Sequence, residues 1–280
     1  MSAVMFGGRA LTLTGVCILS AWAWERLCNI IMKRPDTTGD LSATVTGMIL
    51  AFNLPPTLPY WMAVLGTFVA IVITKQIFGG LGQNFANPAI VGRIVLMLSF
   101  TGEMTNWAAP RFAPVDAVSS ATPLAVNSTK AYSYLDLFIG RQPGCLGEVC
   151  VAALLAGGLY LIIARVITPH IPLAFIASVF ICSWIAGKDP VYQILSGGLM
   201  LGAIFMATDY VTSPVSSTGK VIFGIGCGVI TCLIRFYANY PEGVSFSILL
   251  MNIVTPYIDM FTRQKPIGAA EKKGAKKSEK

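Results

Sequence analysis

The run "PVDAVSSATPLAVNST", residues 114–129, brings Asp116, Ser119, Ser120, Thr122 and Thr129 together in a polar gap of an otherwise oily chain. Three kinds of chemistry use a hydroxyl in such a loop. A nucleophile needs a neighbouring base and donors for an oxyanion. The chain has one histidine, His170, next to Pro169 in a short connection predicted on the other side of a membrane, so a Ser-His-Asp device is excluded. Asn127-Ser128-Thr129 fits the N-glycosylation pattern, a three-residue match that recurs by chance. The third chemistry is attachment, with a hydroxyl bonded to a group that the protein carries.

The elements that must position this loop follow from composition. Of 280 residues, 55% are hydrophobic and 12% charged, against about 25% charged in soluble domains. Apolar stretches long enough to cross ~30 Å of hydrocarbon recur along almost the whole chain. The sequence therefore predicts an all-α polytopic membrane protein, in one integral domain over 1–262. The net charge of +7 does not indicate nucleic acid, because seven cations from Arg263 to Lys280 stand against only Glu271 and Glu279. A basic tail after the last apolar segment reads as a cytoplasmic anchor beside the bilayer. None of the seven cysteines forms a C-x-x-C pair and five lie in apolar segments, so no metal site, zinc or iron–sulfur, is expected from this chain alone. Cys145 and Cys150 share the polar gap, where a bridge and two separate thiols are equally open.

Nine apolar segments lie between breakers, at about 10–32, 41–53, 58–75, 87–100, 150–167, 171–187, 193–208, 219–238 and 243–262. Segments two and four are too short for a full span and read as broken helices facing a cavity. With the tail inside, the positive-inside rule places "KRPDTTGD", Lys75, Arg165 and Lys220 inside and the 101–149 loop outside. "LSATVTGMILAFNLPP" from Leu41 parallels "LSGGLMLGAIFMATDYVTSP" from Leu195. Each runs to a polar residue (Asn53, Asp209) and a proline, then to one long helix and a glycine-bearing turn. The two lie five crossings apart and so run in opposite directions, an inverted repeat with halves at about 10–100 and 150–262. The second half has one helix more at its start, so either the repeat is imperfect or this chain lacks one helix ahead of its first segment, the reading favoured here because that helix would also bring the N-terminus inside.

Polar residues inside spans are costly and draw attention. Asn87-Pro88 reads as a helix start, with asparagine as cap and proline in the first turn. Arg93 then lies inside the fourth segment, either snorkelling, pairing with a neighbouring subunit, or lining a cavity for an anionic or polar ligand. Glu25-Arg26 reads as snorkelling to the interface. Asn53 and Asp209 read first as caps of their half-helices, with ligand contact as the alternative.

"D-x-x-S-S-A-T", Asp116 through Thr122, resembles the flavinylation motif in which a threonine carries FMN through a phosphoester. "DLSATVTGMILAFNLPP", "GLGQNFANPA", "LSGGLMLGAIFMATDYVTSP" and "YPEGVSFSILLMN" resemble, in order and spacing, the D subunit of the Rnf ferredoxin:NAD+ oxidoreductase complex. That family is similar to the B subunit of the sodium-pumping NADH:quinone reductase. The likeness runs from about residue 7 to 265 and reads closer to the Rnf version. Family members carry a further N-terminal helix, ten in all, and glycine is common where Ser120 stands.

The resemblance implies an FMN-carrying subunit of an ion-translocating oxidoreductase in the bacterial cytoplasmic membrane, with no stand-alone active site and no catalytic residue of its own. Thr122 would bear the FMN on the outer side, attached by a separate flavin transferase. Expected partners are a membrane iron–sulfur pair, a second flavinylated subunit, and NADH- and ferredoxin-side subunits, with electron flow coupled to Na+ or H+. By analogy a second, non-covalent flavin (riboflavin) is expected in the broken-helix cavity, with Asn87 and Arg93 as its contacts. The rival reading from the architecture alone is an inverted-repeat transporter or channel.

Overall fold

The computed structural model describes residues 1–108, 110–111, 124, 132–238 and 243–262. Thr122 and its Asp116–Thr122 motif, the Asn127–Thr129 pattern, Tyr240-Pro241-Glu242 and the basic tail lie outside the described residues. All regular structure among the described residues is helical. A short α1 (Ser2–Phe6) turns at Gly7 into α2 (Gly8–Ile31), followed by α3 (Ser42–Phe52), α4 (Tyr60–Phe68), α5 (Pro88–Ser99) and a single turn, α6 (Thr101–Met104). After the loop come α7 (Tyr134–Ile139), α8 (Val151–Ile163), α9 (His170–Ile185), α10 (Pro190–Leu195), α11 (Leu199–Leu201), α12 (Ser217–Tyr237) and α13 (Val244–Thr262). The nine apolar segments of the sequence each contain one long helix or half-helix, with ends within a few residues.

Two helices widen into π-helix: α4 continues as Val69–Gln76 and α11 as Gly202–Met206. In the first, the Thr74 hydroxyl donates to the carbonyl of Val69, five residues back, at 3.1 Å. Such widened turns concentrate at functional positions in helical proteins. The order half-helix, long helix, third helix occurs twice, as α3–α4–α5 and as α11–α12–α13. The third members differ, because α5 has 12 residues and α13 has 19.

Close helix approach depends on small residues, as expected where lipid gives no hydrophobic drive to helix pairing. A Cβ on Gly47 of α3 would come within 2.6 Å of the Cys17 carbonyl of α2. On α12, Gly224 meets Ala174 and Gly228 meets Ser178 of α9, so these two helices run side by side in constant register. The outward faces are apolar: Trp184, Ile185, Tyr160 and Ile163 are among the most exposed side chains, while Asn53, Arg93 and Glu25 are buried. Helices α12 and α13 have the length and hydropathy to cross a bilayer unaided.

Candidate functional site

The broken helices meet end to end at the centre of the molecule, over buried amides. Asn53 closes α3; its Nδ2 donates to the Ile49 carbonyl at 2.7 Å and lies 3.5 Å from the Met206 sulfur. Asn87 opens α5 as the Asn-Pro pair predicts, its Oδ1 accepting from the amides of Ala89 (3.0 Å) and Ile90 (3.4 Å). Its Nδ2 donates to the carbonyl of Met206 at 3.3 Å, where the second broken helix ends. Asn252 of α13 completes the layer, with Oδ1 accepting from the Asn87 amide at 3.1 Å and Nδ2 donating to the Thr212 and Ile248 carbonyls at 3.3 Å. Asp209 organises the turn beyond Met206, accepting from the Thr212 hydroxyl (3.1 Å) and the Val211 amide (3.4 Å).

Arg93 does not snorkel. It is buried, with Nη1 donating to Asn53 Oδ1 at 2.6 Å and Nη2 approaching the Cys145 sulfur at 3.7 Å. Asn87 and Arg93, expected to contact a second flavin, thus hold protein groups that knit the two broken helices together. Two cavities among the described residues lie away from these side chains. One, of about 220 Å³, is lined by α1, Phe52, residues 146–154 and Phe205. The other, of about 650 Å³, lies between the start of α12 and the end of α13 around Asp259.

Cys145 and Cys150 are free thiols, as are the other five. The segment that holds Cys145 packs onto the end of α3, where the amides of Leu146 and Gly147 donate to the carbonyls of Leu54 (3.1 Å) and Phe52 (2.8 Å). Glu148 folds back, its Oε1 accepting from the Cys145 amide at 2.8 Å. Across from it, α10 ends and α11 begins through Ser196-Gly197-Gly198. Gly197 adopts φ +68, and a Cβ there would lie 2.7 Å from the side chain of Leu124 and 3.2 Å from Arg235. Arg235, near the end of α12, donates from Nη1 to the Gln193 carbonyl (2.6 Å) and from Nη2 to the Ser196 carbonyl (3.3 Å). Leu124, the one described residue between 112 and 131, therefore rests on a glycine turn beside a buried guanidinium. None of Arg235, Glu148 and Gln142 was singled out in the sequence, because each stands alone among apolar or loop residues with no pattern to mark it.

A second ionic cluster lies at the far end of α2. Glu25 does not snorkel either: it is fully buried, and Lys75 reaches it with Nζ 2.6 Å from Oε1. Lys75 also donates to Ser42 Oγ at 2.5 Å, while Gln76 (3.1 Å) and Thr37 (3.3 Å) donate to the same Glu25 oxygen. Lys75, one of the charges that the positive-inside rule places on the inside, is 3% exposed. A signal was available: Ala10, Leu13, Cys17, Ala21, Glu25 and Cys28 form one buried stripe at helical spacing along α2. Outside the spans, Asp36 accepts from the Thr38 hydroxyl (2.6 Å) and amide (3.0 Å) and faces Arg26 at 3.6 Å. These contacts, the hydroxyl first, hold its carboxyl below the usual aspartate range.

A helical bundle with an apolar exterior, broken helices that meet at buried amides, and charged groups turned inward defines a polytopic integral membrane protein. The chain belongs to the NQR2, RnfD, RnfE family, whose pattern matches residues 1–268. It is 48% identical over 280 residues to the D subunit of the Na(+)-translocating ferredoxin:NAD(+) oxidoreductase complex of Acetobacterium woodii, covering 97% of this chain and 87% of that one. It is 42% identical over 282 residues to the D subunit of the proton-translocating ferredoxin:NAD(+) oxidoreductase complex of Clostridium ljungdahlii, covering 94% and 85%. The D subunit of the ion-translocating oxidoreductase complex of Stutzerimonas stutzeri is 37% identical over 305 residues, covering 94% and 86%.

Proposed function

We propose that this chain is the membrane-integral D subunit of an ion-translocating ferredoxin:NAD+ oxidoreductase complex, and that Thr122 carries FMN through a phosphoester. The observation that carries the reading is likeness over almost the full length to proteins named as that subunit, 48% in the first case, joined to the Asp116–Thr122 motif. These relatives favour the Rnf assignment over the quinone reductase one, and an electron-transfer subunit over a stand-alone transporter. The ion stays open in this reading, since one relative is named for Na+ and another for protons.

The isoalloxazine ring supplies the redox chemistry when bound. The chain's own residues supply access and placement. Ser119, Ser120 and Ala121 are small enough for a flavin transferase to reach Thr122, and Pro123 biases Thr122 away from helix. The subunit is assigned to the bacterial cytoplasmic membrane, with its C-terminus in the cytoplasm and Thr122 on the outer side. Its partners are the remaining subunits: the membrane iron–sulfur pair, the second flavinylated subunit, and the ferredoxin- and NADH-side subunits. Riboflavin, held non-covalently, is a further proposed cofactor, and acid extraction of the purified complex would release it.

The test of attachment is a denaturing gel under ultraviolet light, run on protein made together with its flavin transferase. The wild-type band fluoresces and the Thr122→Val band is dark. Fluorescence that survives the substitution places the flavin on another residue.

A further inference from the structure

We propose that Cys182 and Cys232 form a modification site, a dithiol that an external disulfide closes into a covalent clasp between α9 and α12.

The pairing follows from the register of the two helices. A Cβ on Gly224 would lie 2.7 Å from the Cβ of Ala174, and one on Gly228 would lie 2.5 Å from that of Ser178. One more helical step of four residues on each side brings Cys232 opposite Cys182. Each Cα lies one bond behind its Cβ, so facing positions on this seam fall in the Cα separation of about 4.4–6.8 Å that a disulfide requires. The sulfurs are placed accordingly. Cys232 Sγ lies 3.9 Å from the Val179 carbonyl of α9, and the Cys182 thiol stands beside it.

Small residues alone would serve close packing here, as glycine, alanine and serine do on the preceding turns. Three features go beyond packing. The two thiols differ in access, because Cys182 is half-buried whereas Cys232 is 3% exposed. Ser183 Oγ is buried without a hydrogen-bond partner and faces Cys232. Arg235, one turn further along α12, acts on the same sulfur. A hydroxyl donor and a cation stabilise the charge that forms on a thiol when it attacks.

The reaction is a double exchange. The Cys182 sulfur, the more accessible one, attacks R–S–S–R to form a mixed disulfide, and the first R–SH leaves with the Cys182 proton. The Cys232 sulfur then attacks the Cys182 sulfur, and the second R–SH leaves with the Cys232 proton. The dithiol loses two electrons and the external disulfide gains them. Both cysteines lie in the last two turns of their helices. The proposed topology turns that end outward, where disulfides persist.

The test uses the full complex, first reduced and then treated with dipyridyl disulfide, an uncharged reagent that leaves a thiopyridyl group on a thiol with no neighbour. Remaining thiols are alkylated, and the digest is read by mass spectrometry without reductant. Wild type should yield a peptide pair joined through Cys182 and Cys232, with no thiopyridyl group on either. Cys232→Ser should keep the group on Cys182. In Cys182→Ser the reaction at Cys232 should slow about ten-fold or more. A thiopyridyl group on each cysteine of wild type, or both left free, overturns the proposal. Cys232 reacting as fast without Cys182 also counts against it, since the half-buried thiol would then not be the point of entry. Reduction of the joined form should lower its unfolding temperature by about 5 °C or more. An unchanged temperature means that the bond clasps nothing, and the proposal falls. In detergent the reagent reaches both faces, so the outcome does not depend on the membrane topology.

Discussion

Lys75 and Arg235 are both buried cations, yet their surroundings differ in kind. Lys75 has a carboxylate partner at 2.6 Å, and Ser42, Gln76 and Thr37 add hydrogen bonds around the pair, all those to Glu25 falling on Oε1 while its Oε2 is buried without a partner. Arg235 has carbonyls, an amide oxygen and an unused Nε. The two lie at opposite ends of the bundle. The first residues of α1 touch Leu146, beside the Arg235 cluster, and Glu25 sits near the other end of α2, a rise of roughly 25 Å from Gly8. The difference teaches that burial of charge has two meanings in one fold. A lysine in direct contact with its carboxylate ties three helices together, whereas an arginine with no carboxylate in direct contact holds the carbonyls at the end of α10.

The comparison can be broken at its stronger side first. Lys75→Met leaves Glu25 as an uncompensated buried carboxylate, and should cost about 3–5 kcal/mol of stability. Thermal unfolding in detergent would record it, and Glu25→Gln added to Lys75→Met should recover most of the loss. If the single variant is as stable as wild type, the pair is not what holds the ends of α2, α3 and α4.

Arg235 should behave differently. Arg235→Gln removes hydrogen bonds to the Gln193 and Ser196 carbonyls but breaks no direct ion pair, so the expected cost is about 1–2 kcal/mol. A loss as large as that of Lys75→Met would mean that Arg235 is a closed structural pair after all. Asn87→Ala, in the uncharged layer between the two clusters, removes the cap of α5 and one donor to Met206. It should cost about 1 kcal/mol in the same measurement.

The smallest effect is at Asp36, an exposed carboxyl whose folded value is lowered by Thr38 and Arg26. Its contribution is complete above the ordinary aspartate value of ~4 and fades as pH falls through the lowered folded value. Hydrogen exchange at the Thr38 amide should therefore quicken only in acid, and Asp36→Asn should remove that dependence. An exchange rate that instead changes near neutrality would contradict the assigned hydrogen bonds.

Much of this architecture was legible because membranes make composition speak plainly. The nine helical segments, the break after Asn53 and the Asn87-Pro88 start all follow from apolar run length and from the chemistry of asparagine and proline. The π-helical stretches were not legible, since Val69–Gln76 and Gly202–Met206 have ordinary helical compositions and the widening depends on packing. Glu25 was misread for another reason. Near a helix end, the interface accounts for a charge as readily as a partner 50 residues away does, and only the stripe from Ala10 to Cys28 favours the partner. Arg235 stayed hidden because its neighbours, Gln193, Ser196 and Leu124, are distant in sequence. Of the candidate site, Thr122 was named from the motif alone, while the packing of Leu124 on Gly197 required three dimensions.

Peptide mass spectrometry decides whether Thr122 is the covalent flavin carrier. Protein made with its flavin transferase is digested, and the peptide spanning Asp116 to Thr129 is sequenced by fragmentation. The account predicts a mass gain equal to FMN less one water, assigned to Thr122. An unmodified peptide, or the same gain on Ser119, Ser120 or Thr129, would contradict it.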